Sequence, residues 1–253
     1  MADVLVVSDF NAELVSRYIA ADQAGPELST DTASYGQVVQ TLSVNWPGSN
    51  AMTLFVWTRP EGISHFFATL LGGEGVPPER LLYDVDSFAN LVSQAAQRFR
   101  MVFVASWTRT FGGRGSGLLD WCEGGQARTL AQMNLRLAGR LDGHANVRIL
   151  DSQRWLDVVC PSRDARHWYA MKFPFANRVA QAAARDVKAA VRAFSGQVRK
   201  LVVLDLDDTL WGGIIGETGW EGVRLGGHDV IGEAFVDFQR SLKALAARGI
   251  ALG

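Results

Sequence analysis

The sequence predicts an α/β protein: a parallel sheet covered by helices on both faces, followed by the beginning of a second α/β unit. Three observations carry this expectation. Short apolar runs at residues 4–7, 52–57 and 101–107, with a weaker one at 147–150, recur along the chain, and runs of this length bounded by polar turns read as strands buried on both faces. Between them apolar residues return at helical spacing, and strands that alternate with helices build a parallel sheet. A further apolar run at 201–204 begins abruptly after the polar stretch 197–200. The expected division therefore falls near residue 198, giving domains 1–198 and 199–253.

Each element follows from its own pattern. The run 4–7 ends in the polar turn Ser8-Asp9-Phe10-Asn11, after which Leu14, Val15, Tyr18 and Ile19 mark a helix. Leu130, Met133, Leu137 and Leu141 form the clearest amphipathic stripe, stopped by Gly143. From Pro174 a long helix places Val179, Ala183, Val187, Val191 and Phe194 on one side and closes at Gly196. Residues 212–227 are dense in glycine and predict a hairpin-like excursion. Phe235, Phe238, Leu242 and Leu245 then predict a helix ending at Gly249, with another strand beginning at Ile250.

Composition narrows the function classes. With 253 residues, 48% hydrophobic and 20% charged, the chain is globular and long enough for two cores. A net charge of −1 leaves no basic excess to neutralise a nucleic-acid backbone, so nucleic acid is not an expected partner. Cys122 and Cys160 have neither CxxC nor zinc-site spacing, which predicts buried, inert thiols in a reducing compartment. The start Met1-Ala-Asp-Val has no basic lead, and its apolar run is too short for a signal peptide or a span. A cytoplasmic location without a membrane partner is expected. Trp46, Trp57, Trp107, Trp121 and Trp155 are expected to pack in the core, since no basic groove accompanies them. The glycine-rich stretch 112–117 lacks the Lys-Ser/Thr ending of a phosphate-binding loop and predicts a mobile loop, where Arg109 and Arg114 would meet an anion.

The chemistry is concentrated in Leu204-Asp205-Leu206-Asp207-Asp208-Thr209-Leu210-Trp211-Gly212-Gly213. Three carboxylates follow an apolar strand at its carboxyl end, where open α/β sheets bind ligands. Burying such charge demands a cation or protonation, and an all-oxygen ligand set favours Mg²⁺. Side chains two apart share a face of an extended strand, so Asp205 and Asp207 would converge on one phosphoryl group and on the metal. Asp205 is the expected nucleophile and Asp207 the acid/base. Taken singly, Asp208 and Thr209 also suit a turn or a cap.

The string resembles motif I of the haloacid dehalogenase (HAD) superfamily. Its continuation, Ile214-Ile215-Gly216-Glu217-Thr218-Gly219 and Glu221-Gly222-Val223-Arg224-Leu225, is similar to the FkbH-like branch, in which Asn is usual where this chain has Asp208. The resemblance implies a Rossmannoid HAD domain with 212–225 as a flap over the site, so that Thr209, Trp211, Gly212 and Gly213 lie near substrate, and with 232–235 opening the helix behind it. It implies a Mg²⁺-dependent phosphatase or glyceryl transferase acting through an aspartyl-phosphate. The donor would be a small phosphorylated acyl compound and the partner an acyl carrier protein, in polyketide or related biosynthesis. It also implies three further motifs beyond Gly253: a Ser or Thr, a Lys and an acidic pair. The expectation is a chain that stops inside the HAD domain and is weak or inactive alone.

For the first domain, Tyr35-Gly36-Gln37 and Trp168-Tyr169-Ala170-Met171-Lys172-Phe173-Pro174 resemble recurring segments of the SGNH-hydrolase-like (flavodoxin-like, three-layer) domain that often precedes the FkbH-like module. An esterase of that type needs a Gly-Asp-Ser turn, and here Ser8-Asp9-Phe10 puts Phe10 at the nucleophile's place. Asp164-Ala165-Arg166-His167 matches Asp-x-x-His, and the residues 106–109 offer no oxyanion-hole Asn. Ser8, Asp164 and His167 form the candidate second site. Two alternatives to the phosphoryl-transfer reading stay open: an SGNH-type esterase, and a non-catalytic module that binds a carrier protein or another partner.

Overall fold

The structure, a computed structural model, describes residues 2–23, 25–109, 117–226 and 229–253. The chain forms two compact units, Met1–Phe194 and Ser195–Gly253.

In the first unit β1 (Val4–Ser8) leads to α1 (Glu13–Ala21), β2 (Thr30–Thr32) and α2 (Val38–Ser43). Next come β3 (Thr53–Trp57), α3 (Pro60–Ile63), α4 (His65–Leu71), α5 (Pro78–Ala96) and β4 (Met101–Ala105). The unit finishes with α6 (Gln126–Leu141), β5 (Val147–Leu150), α7 (Gln153–Asp157), α8 (Ala165–Met171) and α9 (Asn177–Phe194). All five strands pair in parallel in the order β2-β1-β3-β4-β5, the flavodoxin-like order of an open doubly wound sheet. The predicted α/β class and parallel sheet are observed.

Alternation along each strand divides the core between the two faces. Leu5, Val7, Leu54, Val56, Val102 and Val104 pack with residues of α2, α5 and α6. Val4, Val6, Phe55, Trp57, Phe103 and Ala105 pack with residues of α1, α7 and α9. Because both faces are covered, the strands read as unbroken apolar runs. The long helix begins at Asn177 rather than Pro174.

The second unit contains β6 (Leu201–Val202), α10 (Ile215–Thr218), α11 (Val230–Ala247) and β7 (Ala251–Leu252). β6 and β7 pair in parallel, and the ladder continues one step to a bond from the Leu204 N–H to the Gly253 carbonyl. The expected burial of residues 201–204 is not observed: Leu201 is 55% and Val203 75% exposed. Among the described residues this sheet has two strands, each with one neighbour. The expected excursion is present as an antiparallel bridge between Gly212 and Arg224, closed by two backbone hydrogen bonds. Asp229 caps α11 by accepting the Gly232 N–H at 2.7 Å, and the Gln239 side chain ties α11 to the Leu210 carbonyl at 2.6 Å.

Candidate functional sites

The carboxyl edge of the first sheet begins where β1 runs into Ser8, Asp9 and Phe10. Ser8 is buried, and its Oγ accepts the Phe10 N–H at 3.1 Å. Phe10 is 1% exposed and meets Trp57, Phe173 and Phe175 edge-on with ring centroids 5.3, 5.7 and 6.0 Å away. Trp57 and Phe175 stack at 5.0 Å. The side chain at the nucleophile's position is therefore the centre of an aromatic cluster.

Asp9 accepts both the Arg59 backbone N–H and its Nε, each at 2.8 Å. Burial pushes the Asp9 carboxyl above its ordinary value, and the charge and hydrogen bonds of Arg59 pull the other way without cancelling it. The Arg59 guanidinium lies 4.3 Å from the centre of the Trp168 ring, with the Lys172 ammonium 5.3 Å from it, so two cations share one aromatic side chain. Close by, a cleft of about 370 Å³ is lined by Asn11, Glu13, Ser34, Tyr35 and Lys172. The two segments read as recurring, around Tyr35 and around Lys172, meet there.

Asp164 caps α8, accepting the N–H groups of Arg166 and His167. His167 Nδ1 lies 3.1 Å from the Phe175 carbonyl, and its Nε2 faces Asp164 at 3.7 Å. Both ring nitrogens thus face oxygens of their own neighbourhood. Among the described residues no hydrogen bond links His167 with Ser8. The general base of a triad needs one nitrogen on the nucleophile and the other on the carboxylate. In place of an oxyanion-hole Asn after β4, Asn134 of α6 exchanges two 2.8 Å bonds with the backbone of Trp107.

Several sequence expectations change here. Cys122 and Cys160 are both exposed, not buried. Trp57, Trp107 and Trp155 are buried and Trp46 packs against the core, whereas Trp121 is 70% exposed. Arg109 is paired with Asp120 at 2.8 Å and so is already neutralised. Residues 112–116, Arg114 among them, lie outside the described residues.

In the second unit the named strand ends at Val202, so residues 205–208 belong to the turn after it and strand alternation does not govern them. Asp205 is exposed, and its Oδ1 accepts the following Leu206 N–H at 2.8 Å. Asp207 is half-buried; its Oδ1 accepts the Trp211 Nε1–H at 3.0 Å and the Ile215 N–H at 3.4 Å. Asp208 sits at φ 51° and accepts the Gly213 N–H at 2.7 Å. Asp and Asn are the side chains best tolerated in that left-handed conformation, and both offer the oxygen that Gly213 needs. Trp211 and Thr209 are half-buried and Gly212 is buried, where a Cβ would meet Phe235 at 2.9 Å.

The donor chemistry around Asp205 and Asp207 fits Mg²⁺, which is commonly held by one or two carboxylates together with water and substrate phosphate. Among the described residues no three acidic, His or Cys side chains converge on one point. No described helix is long and apolar enough to cross a membrane.

No protein-family profile matches the sequence, and no curated protein matches it. Among solved structures, the chain is similar to the N-terminal part of BF1531 from Bacteroides fragilis, described as containing a phosphatase domain and complexed with Mg. The TM-score is 0.82 at 18% identity, covering 99% of this chain and 67% of that one. More distant are the acetyl xylan esterase Axe2-W215I from Geobacillus stearothermophilus (TM-score 0.48, 11% identity, 75% and 94% of the two chains) and a lipolytic protein of the G-D-S-L family from Veillonella parvula (0.41, 13%, 74% and 96%). At these identities the likeness is one of fold.

Proposed function

We propose that this protein is an FkbH-like member of the HAD superfamily, in which Asp205 and Asp207 form a phosphoryl-transfer site and the SGNH-like first unit binds a partner instead of hydrolysing esters. The observation that carries the reading is the string Asp205-Leu206-Asp207-Asp208 in the turn that follows β6 and tied to its glycine-rich flap through Trp211, Gly213 and Ile215. The fold likeness to a phosphatase-containing protein that binds Mg supports it.

In this proposal the Asp205 carboxylate oxygen attacks phosphorus, forming a P–O bond as the bond to the leaving oxygen breaks. Asp207 gives its proton to that oxygen and then takes one from the water that cleaves the aspartyl-phosphate. Asp205 and Asp207 would hold Mg²⁺, which supplies charge neutralisation for the nucleophile and phosphate. The Trp211 indole and the Ile215 amide both donate to one Asp207 oxygen, leaving the other as the atom that would face the cation when ionised or carry the proton. The proposed substrate is a small phosphorylated acyl donor, with an acyl carrier protein as acceptor.

The test is acid-quenched intact mass of the chain after incubation with Mg²⁺ and acetyl phosphate. Incorporation of one phosphoryl group that disappears in Asp205→Asn is expected. Because this chain alone is expected to be weak or inactive, the same comparison is run in a version extended past Gly253 that carries the three further motifs; equal incorporation in the Asp205→Asn variant of either, or none in the extended parent, overturns the assignment of Asp205.

A further inference from the structure

We propose that the groove between α7 and α9 docks an acidic, amphipathic helix of a partner protein. The groove encloses about 690 Å³. Its floor is apolar, with Val158, Val159 and Ala182, and Val158 is 63% exposed. Its rim carries Arg154, Arg178 and Arg185. Among the described residues none of these three guanidiniums makes a hydrogen bond or ion pair, whereas Arg59, Arg109 and Arg136 each hold a carboxylate. The one acidic side chain in the lining, Asp186, accepts the Trp155 indole N–H at 2.9 Å. Three unpaired guanidiniums against the single carboxylate of Asp186 leave a positive excess around the apolar floor, on a chain of net charge −1, and form a local surface complementary to negative charge.

The spacing specifies the form of the occupant. Arg178 and Arg185 are seven residues apart on α9, which is two turns or roughly 10 Å along the axis. A docked helix with acids at i and i+7 and apolar residues at i+3 and i+4 would pair with both arginines and set its apolar side chains on Val158 and Ala182. The location also favours a protein over a small anion. Small ligands of such sheets bind at the carboxyl ends of the strands, whereas this groove lies between helices that cover the face. The inference does not depend on the phosphoryl-transfer reading.

The probe is a fluorescein-labelled helical peptide with Glu at i and i+7 and Leu at i+3 and i+4, followed by anisotropy against the full chain. Micromolar binding that weakens with salt is expected. The variant Arg178→Glu/Arg185→Glu, both exposed positions whose folding is checked by circular dichroism, should bind at least about tenfold more weakly. The same variant should recover affinity for a peptide carrying Lys in place of Glu, which a merely misfolded variant would not do. Val158→Glu should weaken the acidic peptide as well. No binding by the acidic peptide, or binding unchanged by the double reversal, overturns the proposal. Arginine-dependent binding of anionic vesicles or inorganic pyrophosphate in place of the peptide overturns it in favour of a lipid or small-phosphate site.

Discussion

Gly62→Ala tests how the carboxyl edge of the first unit is built. Gly62 lies within α3, where its backbone needs no left-handed conformation, so an alanine by itself would help the helix by up to about 1 kcal/mol. Its Cβ, however, would fall 1.9 Å from Asp9 Oδ2, 2.5 Å from Cγ and 3.0 Å from Cβ. The carboxylate must rotate away and lose its two 2.8 Å bonds to Arg59. Hydrogen bonds to charged groups contribute about 1.5–3 kcal/mol each. Because burial already disfavours the Asp9 carboxylate, the lower half of that range applies, and the net destabilisation comes to about 2–3 kcal/mol. For a unit of this size that lowers the midpoint by roughly 5–10 °C. Thermal unfolding followed by tryptophan fluorescence reads it directly, since Trp57 packs beside this edge. The decisive comparison is a double-mutant cycle: Asp9→Ala removes the two atoms the methyl would strike hardest, Oδ2 and Cγ, and leaves only Cβ at 3.0 Å, so Asp9→Ala/Gly62→Ala should lose far less relative to Asp9→Ala than Gly62→Ala loses relative to the parent. A Gly62→Ala protein as stable as the parent, or costs that simply add in the double variant, would refute the reasoning.

Two further outcomes follow from the same structure. Phe10→Ser, which writes a Gly-Asp-Ser-like nucleophile back into the turn, should cost about 3–5 kcal/mol by emptying the aromatic cluster. It should yield neither hydrolysis of p-nitrophenyl acetate nor fluorophosphonate labelling; appearance of either would revive the esterase reading. At position 208, Asp208→Asn should leave stability unchanged, whereas Asp208→Ala should cost about 2 kcal/mol, from a left-handed alanine and a lost acceptor. Hydrogen exchange at the Gly213 amide should accelerate in the alanine variant alone.

The sheet was legible in the sequence because burial on both faces removes polar interruptions, so β1, β3 and β4 stand out as runs. β2 was not, since Thr30-Asp31-Thr32 is a three-residue polar edge strand without an apolar signature. α5 carried a readable pattern, with Pro78 at its start and Leu81, Val85, Phe88 and Val92 at helical spacing. The exposure of Cys122 and Cys160 had no local signal, because a single cysteine says nothing about its surroundings. The Asp9–Arg59 pair spans fifty residues, and Gly62 matters only through it, so neither could be seen before the chain was folded. At the candidate site the composition of 204–213 motivates the proposed chemistry, but the shared face of Asp205 and Asp207 was inferred from an extended strand whose named residues end before them.

At the carboxyl edge of the first unit, several polar groups make local structural contacts. Ser8 accepts a backbone N–H, Asp9 holds Arg59, His167 directs both nitrogens to local oxygens, and Phe10 is packed among aromatic rings. A triad needs a base with one nitrogen on the nucleophile, and among the described residues no hydrogen bond joins His167 to Ser8. The second unit has the opposite character. Asp207 and Asp208 are held to the flap through one oxygen each, whereas Asp205 accepts only the amide of its own neighbour. Exposed, oxygen-rich and anchored on one side, that turn retains the acceptor capacity that the first unit has committed to packing. This contrast is the physical reason to seek chemistry at Asp205 and recognition in the first unit.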